Sequence, residues 1–192
     1  MYKNFLVVGA TGGSGKQIIN ELINSNKNVS IIVRDKTKAK TYLKGEYDKI
    51  SNVIEAELGK GEALKNEELA KIFKETDCLI STLGTPFGQN PQICDYESIK
   101  ELIEISEREN LKKFVFVTSL FITRPYSFVA FMLNNIIPFV LGWKSLAENK
   151  LRLSKLNYMI VRPGQLIDKV DDQSKLKLIY YIALYDSLFI IN

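Results

Sequence analysis

A three-layer α/β fold built on a doubly wound parallel sheet is predicted by three observations on this 192-residue chain. Short, nearly continuous apolar runs recur along it, stretches of helical period separate them, and the first run leads into a glycine-spaced turn, VVGATGGSG, at Val7 to Gly15. Runs without polar alternation belong to strands buried on both faces, as in a parallel sheet covered by helices.

The first strand reads at Phe5 to Val8, and the turn behind it opens a helix over Gly15 to Asn24. A second strand, Val29 to Val33, ends in Arg34 and is followed by a helix at Lys36 to Leu43. Val53 to Ala56 is the third strand, Asn66 to Lys74 the third helix, Cys78 to Ser81 the fourth strand and Asp95 to Asn110 the fourth helix. Phe114 to Thr118 is the fifth strand, and a helix at Ser145 to Leu153 leads into the last, Met159 to Val161. No repeat, low-complexity stretch or linker divides the chain, so its length fits a single domain, and right-handed crossovers wind the sheet twice. The apolar stretch Phe128 to Trp143, broken by Asn134, Asn135 and Pro138, is too short to span a bilayer, which takes about 20 apolar residues. It reads as a buried or partly buried helix over the sheet edge, with a membrane-surface or partner-docking patch as the alternative.

Hydrophobic residues at 46% and charged residues at 25% exclude disordered and fibrous classes. The net charge of +4 is mild, and without a basic stripe interleaved with aromatics no nucleic-acid partner is expected. Histidine is absent, which removes Ser-His-Asp and Cys-His nucleophiles and His-ligated zinc, and no metal site is expected. Cys78 and Cys94 are too far apart for a CxxC pair, and Cys78 reads as a small core residue. The chain opens directly on a strand, which predicts a cytoplasmic protein, or a stromal one if plastid-encoded.

Glycines at 9, 12 and 15 answer three steric demands: a tight turn, close backbone approach to a pyrophosphate, and tight packing of helix on strand. The helix then directs free N–H groups at the anion. In such a Rossmann fold an acidic residue at the end of the second strand accepts from the 2′-hydroxyl of NAD, whereas an arginine accommodates the 2′-phosphate of NADP. Arg34 stands nineteen positions after Gly15, close to the usual interval, with Lys38 one turn on; NADP(H) is therefore expected, while Asp35 leaves room for NAD(H).

Several ordered motifs together, GATGGSG at Gly9 to Gly15, VRD at Val33 to Asp35, STLGT at Ser81 to Thr85, FVFVTS ending at Ser119, WKSLAE at Trp143 to Glu148 and NYMIVRPG at Asn157 to Gly164, resemble the atypical short-chain dehydrogenase/reductase family, in particular its NmrA-like and Tic62-like NAD(P)-binding members. The resemblance covers nearly the whole chain. It implies that Thr11, Gly12, Gly13 and Ser14 line the pyrophosphate, that Arg34 meets the 2′-phosphate, and that Glu57 and Leu58 border the adenine. It also implies that Ser81, Leu83 and Gly84 pass under the ribose and that Pro163 borders the cofactor. Ser119 and Lys144 match the serine and lysine that polarise a carbonyl and hold the nicotinamide ribose in related reductases. The tyrosine expected four residues before that lysine is replaced by Val140, which can neither donate nor accept a proton.

The expected activity is hydride transfer to a small, flat aromatic or carbonyl substrate, with a non-catalytic NADP(H)-binding scaffold, redox sensor or assembly factor as the alternative. Under the second reading the partner is a protein or, peripherally, a membrane. The substrate side is expected at the loop Thr85 to Pro91, the segment Leu120 to Tyr126 and the loop after Gly164, with Phe87, Phe121 and Tyr126 either stacking on the substrate or packing. Glu148, one turn after Lys144, is expected to form at most a surface i, i+4 pair with it. Lys175 to Asn192 resembles a shortened form of the family's closing region, which predicts a pocket that is open or completed by a partner.

Overall fold

The computed structural model describes residues 2–124 and 126–164, with the backbone of two further strands at 178–181 and 188–191. All six apolar runs read as strands lie in one sheet: β1 (Asn4–Val8), β2 (Asn28–Val33), β3 (Asn52–Glu55), β4 (Cys78–Ser81), β5 (Lys113–Val117) and β6 (Tyr158–Val161), in the parallel order β3-β2-β1-β4-β5-β6. Two more strands extend the β6 edge. β8 (Leu188–Ile191) lies parallel to β6, and β7 (Leu178–Tyr181) runs antiparallel to β8, so the sheet departs from the all-parallel expectation at this edge. The strand order reverses between β1 and β4, where Val8 stands opposite Ile32 on one side and Ser81 on the other. At such a switch point the loops leaving neighbouring strands diverge and leave a crevice.

The helices α1 (Gly13–Asn24) and α2 (Lys36–Leu43) cover one face of the sheet; α3 (Glu67–Glu75), α4 (Ser98–Arg108) and α6 (Val140–Arg152) cover the other. Alternate strand residues feed the two cores. Val7 packs with Ile19, Ile31 and Leu43, whereas Leu6 and Val8 pack with Phe73, Leu102, Phe114 and Phe116. Side chains pointing alternately up and down from a doubly covered strand produce this split, which is why the runs show no polar alternation. Local signals set the helix ends. Asn66 accepts the Leu69 N–H at the start of α3, with Glu67 and Glu68 in the first turn and Lys74 in the last, as the helix dipole favours.

Four helix readings are corrected. α1 begins at Gly13 rather than Gly15, and α6 at Val140 rather than Ser145. The helix expected from Asp95 starts as a π-helical turn, Gln92–Glu97, before α4 proper. The 128–143 stretch is α5 (Phe128–Ile136) and the first turn of α6, bent by 98° at the break. α5 buries only Ala130, with Leu133 partly buried beside it and Phe128 75% and Phe131 62% exposed, so it is a partly buried helix rather than a buried one. Among the described residues no single helix is long and apolar enough to cross a membrane. The loop after Gly164 and, apart from the backbones of β7 and β8, the Lys175 to Asn192 region lie outside the described residues.

Candidate nucleotide site

A groove of about 520 Å³ opens above the carboxyl ends of β1 to β4, floored by Val8, Gly9, Ile32, Ala56 and Leu83. Sterics explain two of the glycines that shape it. Gly9 has φ +88°, and a Cβ there would stand 2.6 Å from the Thr82 hydroxyl; a Cβ on Gly15 would stand 2.2 Å from the Gly9 carbonyl oxygen. The turn can close on β4, and α1 on the turn, only without side chains. Gly12 donates to the Gly9 carbonyl at 3.0 Å and caps α1 without any side chain. By contrast α2 and α3 are capped by Asp35 and Asn66, whose side-chain oxygens take first-turn amides. The first-turn amides of α1 meet no such competitor, and around Gly13 there is open space. That is the arrangement a phosphate needs.

Arg34 leaves the end of β2, is exposed, and lines both this groove and an adjoining hollow edged by Lys16, Lys38, Tyr42 and Lys44. Lys16 lies over the Tyr42 ring, 5.6 Å from its centroid. The Arg34 guanidinium donates to Gln89 Oε1 at 2.6 Å from across the groove. Asp35 lines that adjoining hollow and also caps α2. Its carboxylate accepts the Lys38 N–H at 2.9 Å, and that bond holds its pKa below the usual carboxylate value. On the far wall Leu58 is buried in the core and also lines the groove beside Glu57. Glu57 is exposed and pairs with Lys60 at 2.9 Å.

Residues that the sequence reading missed position these walls. Glu101, buried on α4, accepts the backbone N–H groups of Gly59 and Gly61 and so fixes the loop that follows Leu58. Thr82 donates to the carbonyls of Val8 and Gly9 at 3.1 and 3.2 Å, tying β4 to the glycine turn. Asp95 is fully buried, accepts from the Thr85 hydroxyl, and pairs with Lys144 at 2.5 Å. One signal was available: Asp95 and Glu101 are acids on the stripe of α4 and its leading turn that otherwise buries Ile99, Leu102 and Ile105. A carboxylate on such a stripe needs a donor.

The catalytic candidates are placed unevenly. Lys144 is only 12% exposed; its ammonium donates to the Leu83 carbonyl at 3.2 Å and lies against Gly84, both of which line the groove. Ser119 is half-buried, and its hydroxyl accepts the Phe121 N–H at 3.3 Å at the start of a 3-10 turn. Ser81 is buried and does not border the groove; its hydroxyl has no hydrogen-bond partner among the described residues. Pro163 is buried, and its carbonyl accepts the Leu120 N–H at 2.9 Å. Val140 is buried against Phe121 and Ile137, so the face of α6 one turn before Lys144 carries no hydroxyl.

The Glu148 expectation is corrected: it is 2% exposed, accepts from Thr118 at 2.7 Å and from Arg162 Nε at 2.9 Å, and pairs with a second Arg162 nitrogen. Of the three aromatics weighed for the substrate side, Phe121 is packing, whereas Phe87 and Tyr126 are exposed. Cys78 is a core residue whose thiol burial pushes up to about 11; Cys94 lines the groove, half-buried, with its thiol also raised by burial.

A family model described as NAD(P)H-binding matches residues 9–181. Among curated proteins, the chloroplastic TIC 62 of Arabidopsis thaliana is 29% identical over 196 residues, covering 95% of this chain and 30% of that protein. The phenylcoumaran benzylic ether reductase of Betula pendula is 30% identical over 109 residues, 57% of this chain and 33% of that one. This chain thus spans about a third of each. Two solved structures share the fold: a wide-type short-chain dehydrogenase/reductase of Veillonella parvula in complex with NADP (TM-score 0.71, 19% identity, 99% of this chain, 82% of that chain) and an anaerobillin reductase of Escherichia coli O157:H7 (TM-score 0.74, 21% identity, 98% and 96%).

Proposed function

The chain belongs to the NAD(P)H-binding family of the atypical short-chain dehydrogenase/reductase type, and from that premise we propose that it is an oxidoreductase that prefers NADP(H). One observation carries the preference. The end of β2 offers the groove a cation, Arg34, while the neighbouring acid that would accept a ribose 2′-hydroxyl is committed to capping α2. A 2′-phosphate brings nearly two negative charges, which Arg34 and Lys38 meet and which an NAD-type carboxylate would repel. The glycine turn fits the pyrophosphate because the first-turn amides of α1 carry no side-chain cap and the space beside Gly13 is open, while Gly9 and Gly15 let the turn close on β4 and α1 close on the turn. Lys144 is the group for the nicotinamide ribose.

The cofactor, when bound, supplies a hydride. The chain's own residues bind, orient and screen. The floor of Leu83 and Gly84 shields one side, and Phe87 and Tyr126 present aromatic surface to a flat aromatic or carbonyl substrate. With Val140 at the tyrosine position, the proton that follows the hydride comes from solvent or from the substrate pocket rather than from α6. Calorimetric titration tests the preference: NADPH binds more tightly than NADH, and Arg34→Ala weakens NADPH at least tenfold, the scale of one charge-assisted contact, while leaving NADH within about twofold. Equal or tighter binding of NADH by the unaltered protein overturns it.

The exposed apolar face of α5 favours a second reading, a NADP(H)-loaded scaffold that docks a protein or a membrane surface through this face. A panel of flavins, quinones and carbonyls separates the two. Turnover of any of them supports the oxidoreductase; cofactor binding without turnover supports the scaffold.

A further inference from the structure

Lys144 has three N–H donors, and among the described residues the Leu83 carbonyl and Asp95 occupy two of them. One donor remains, on an ammonium set against Gly84 at the floor of the groove. Both oxygens of Asp95 are engaged: one takes Lys144, the other the Thr85 hydroxyl, and its side chain has no solvent contact. The neighbouring residues repeat the pairing, because the Tyr96 and Trp143 rings meet at 6.0 Å between centroids. Two adjacent residues of the π-helical turn therefore grip two adjacent residues of α6. A π-turn inserts an extra residue into a helix, a costly geometry that recurs at functional sites.

Burying an ion pair rarely adds stability over apolar packing, so a pair that locks one amine beside a ligand groove points to a positional and electrical role. Resting on the NADP(H) reading above, we propose that Asp95 is the positioning residue for Lys144 and also sets the charge of the nicotinamide end of the site. It holds the ammonium where its third donor meets the ribose, and it cancels the ammonium's charge so that the site accepts oxidised cofactor, whose nicotinamide ring is a cation, as readily as reduced cofactor, whose ring is neutral. Without Asp95 the amine would be an uncompensated buried cation beside the ring, and repulsion between like charges in a partly desolvated groove falls on NADP⁺ alone.

The test compares three ligands by calorimetry: NADP⁺, NADPH and 2′,5′-ADP, which lacks the nicotinamide half. Asp95→Asn is expected to leave 2′,5′-ADP within about twofold and to weaken NADP⁺ about tenfold more than NADPH. The double variant D95N/K144M, neutral again, is expected to weaken both dinucleotides but to restore their ratio to that of the unaltered protein. Thr85→Val, which frees one carboxylate oxygen without creating a charge, is expected to move the ratio in the same direction as D95N by a smaller factor, and it supplies the measurement should D95N not fold. A parallel loss of 2′,5′-ADP affinity would mean a structural role and overturns the inference, as does an unchanged NADP⁺ to NADPH ratio in both D95N and T85V. Failure of the unaltered protein to bind any of the three ligands sinks the cofactor reading instead, so the two failures are distinct.

Discussion

The glycine turn between β1 and α1 and the corner where β5, α6 and β6 meet are the two polar centres at the top of the sheet, and they are built in opposite ways. The turn consists of backbone: amides left open, carbonyls tied by Gly12 and Thr82, and no charged side chain. The corner consists of side chains: Glu148 with Arg162 and Thr118, and Lys144 with Asp95 and Thr85. A backbone site needs only a short sequence with small residues at fixed spacings. A side-chain site needs partners from four elements and a core that excludes water around them.

Breaking the corner has the largest expected consequence. Glu148→Gln leaves Arg162 as a buried cation without its carboxylate, and the loss is expected at about 3–5 kcal/mol in denaturant unfolding. A loss below about 1 kcal/mol would show that the corner is solvated and that the two centres do not differ in kind. Within the turn, Gly15→Ala sets a Cβ against the Gly9 carbonyl and is expected to cost about 1–3 kcal/mol and to weaken NADPH at least tenfold. Gly13→Ala, with open space around the new methyl, is expected to leave stability within about 0.5 kcal/mol. If the two alanines behave alike, the turn is not a rigid cradle.

A modest effect is expected at the opposite end of the sheet. The Asp77 carboxylate accepts from the Lys3 and Asn4 amides at 2.9 and 3.0 Å and from Lys112 at 2.6 Å, and the lysine, as the foremost cause, holds its pKa well below the usual carboxylate range. A pKa lower in the folded than in the unfolded chain means a contribution complete above about pH 4, the unfolded value, and lost as pH falls through the folded value. Asp77→Asn is expected to cost about 1 kcal/mol at pH 7, with the difference from the unaltered protein shrinking below about pH 4 in unfolding curves. A difference independent of pH would assign the effect to packing rather than charge.

The cores of the two faces explain why one centre was legible and the other was not. Six strands and their order of helices follow from apolar runs such as Ile31 to Val33, because burial on both faces removes polar alternation and leaves a pattern readable without any partner. The glycine turn and Arg34 were legible for the same reason, since their chemistry is local. Asp95, Glu101 and Thr82 were missed because each acts on a residue far away in sequence: Asp95 on Lys144, Glu101 on the Gly59 loop, Thr82 on Val8 and Gly9. The 128–143 stretch reads from composition as a buried or partly buried helix or else a docking patch, because composition reports how apolar a segment is and not which surface remains to cover it.

The strand succession, the glycine turn and the absence of a tyrosine before Lys144 are legible in the chain alone, because all are properties of residues within a few positions of one another. That Asp35 caps α2 emerged only from the folded structure, and that Glu148 is buried with Arg162 instead of lying at the surface and that Lys144 is held by Asp95 emerged only from the packing of distant elements. The physical reason is that a charge's role is set by what desolvates it and by which donor or acceptor comes within hydrogen-bonding distance, and both are fixed only when distant elements pack.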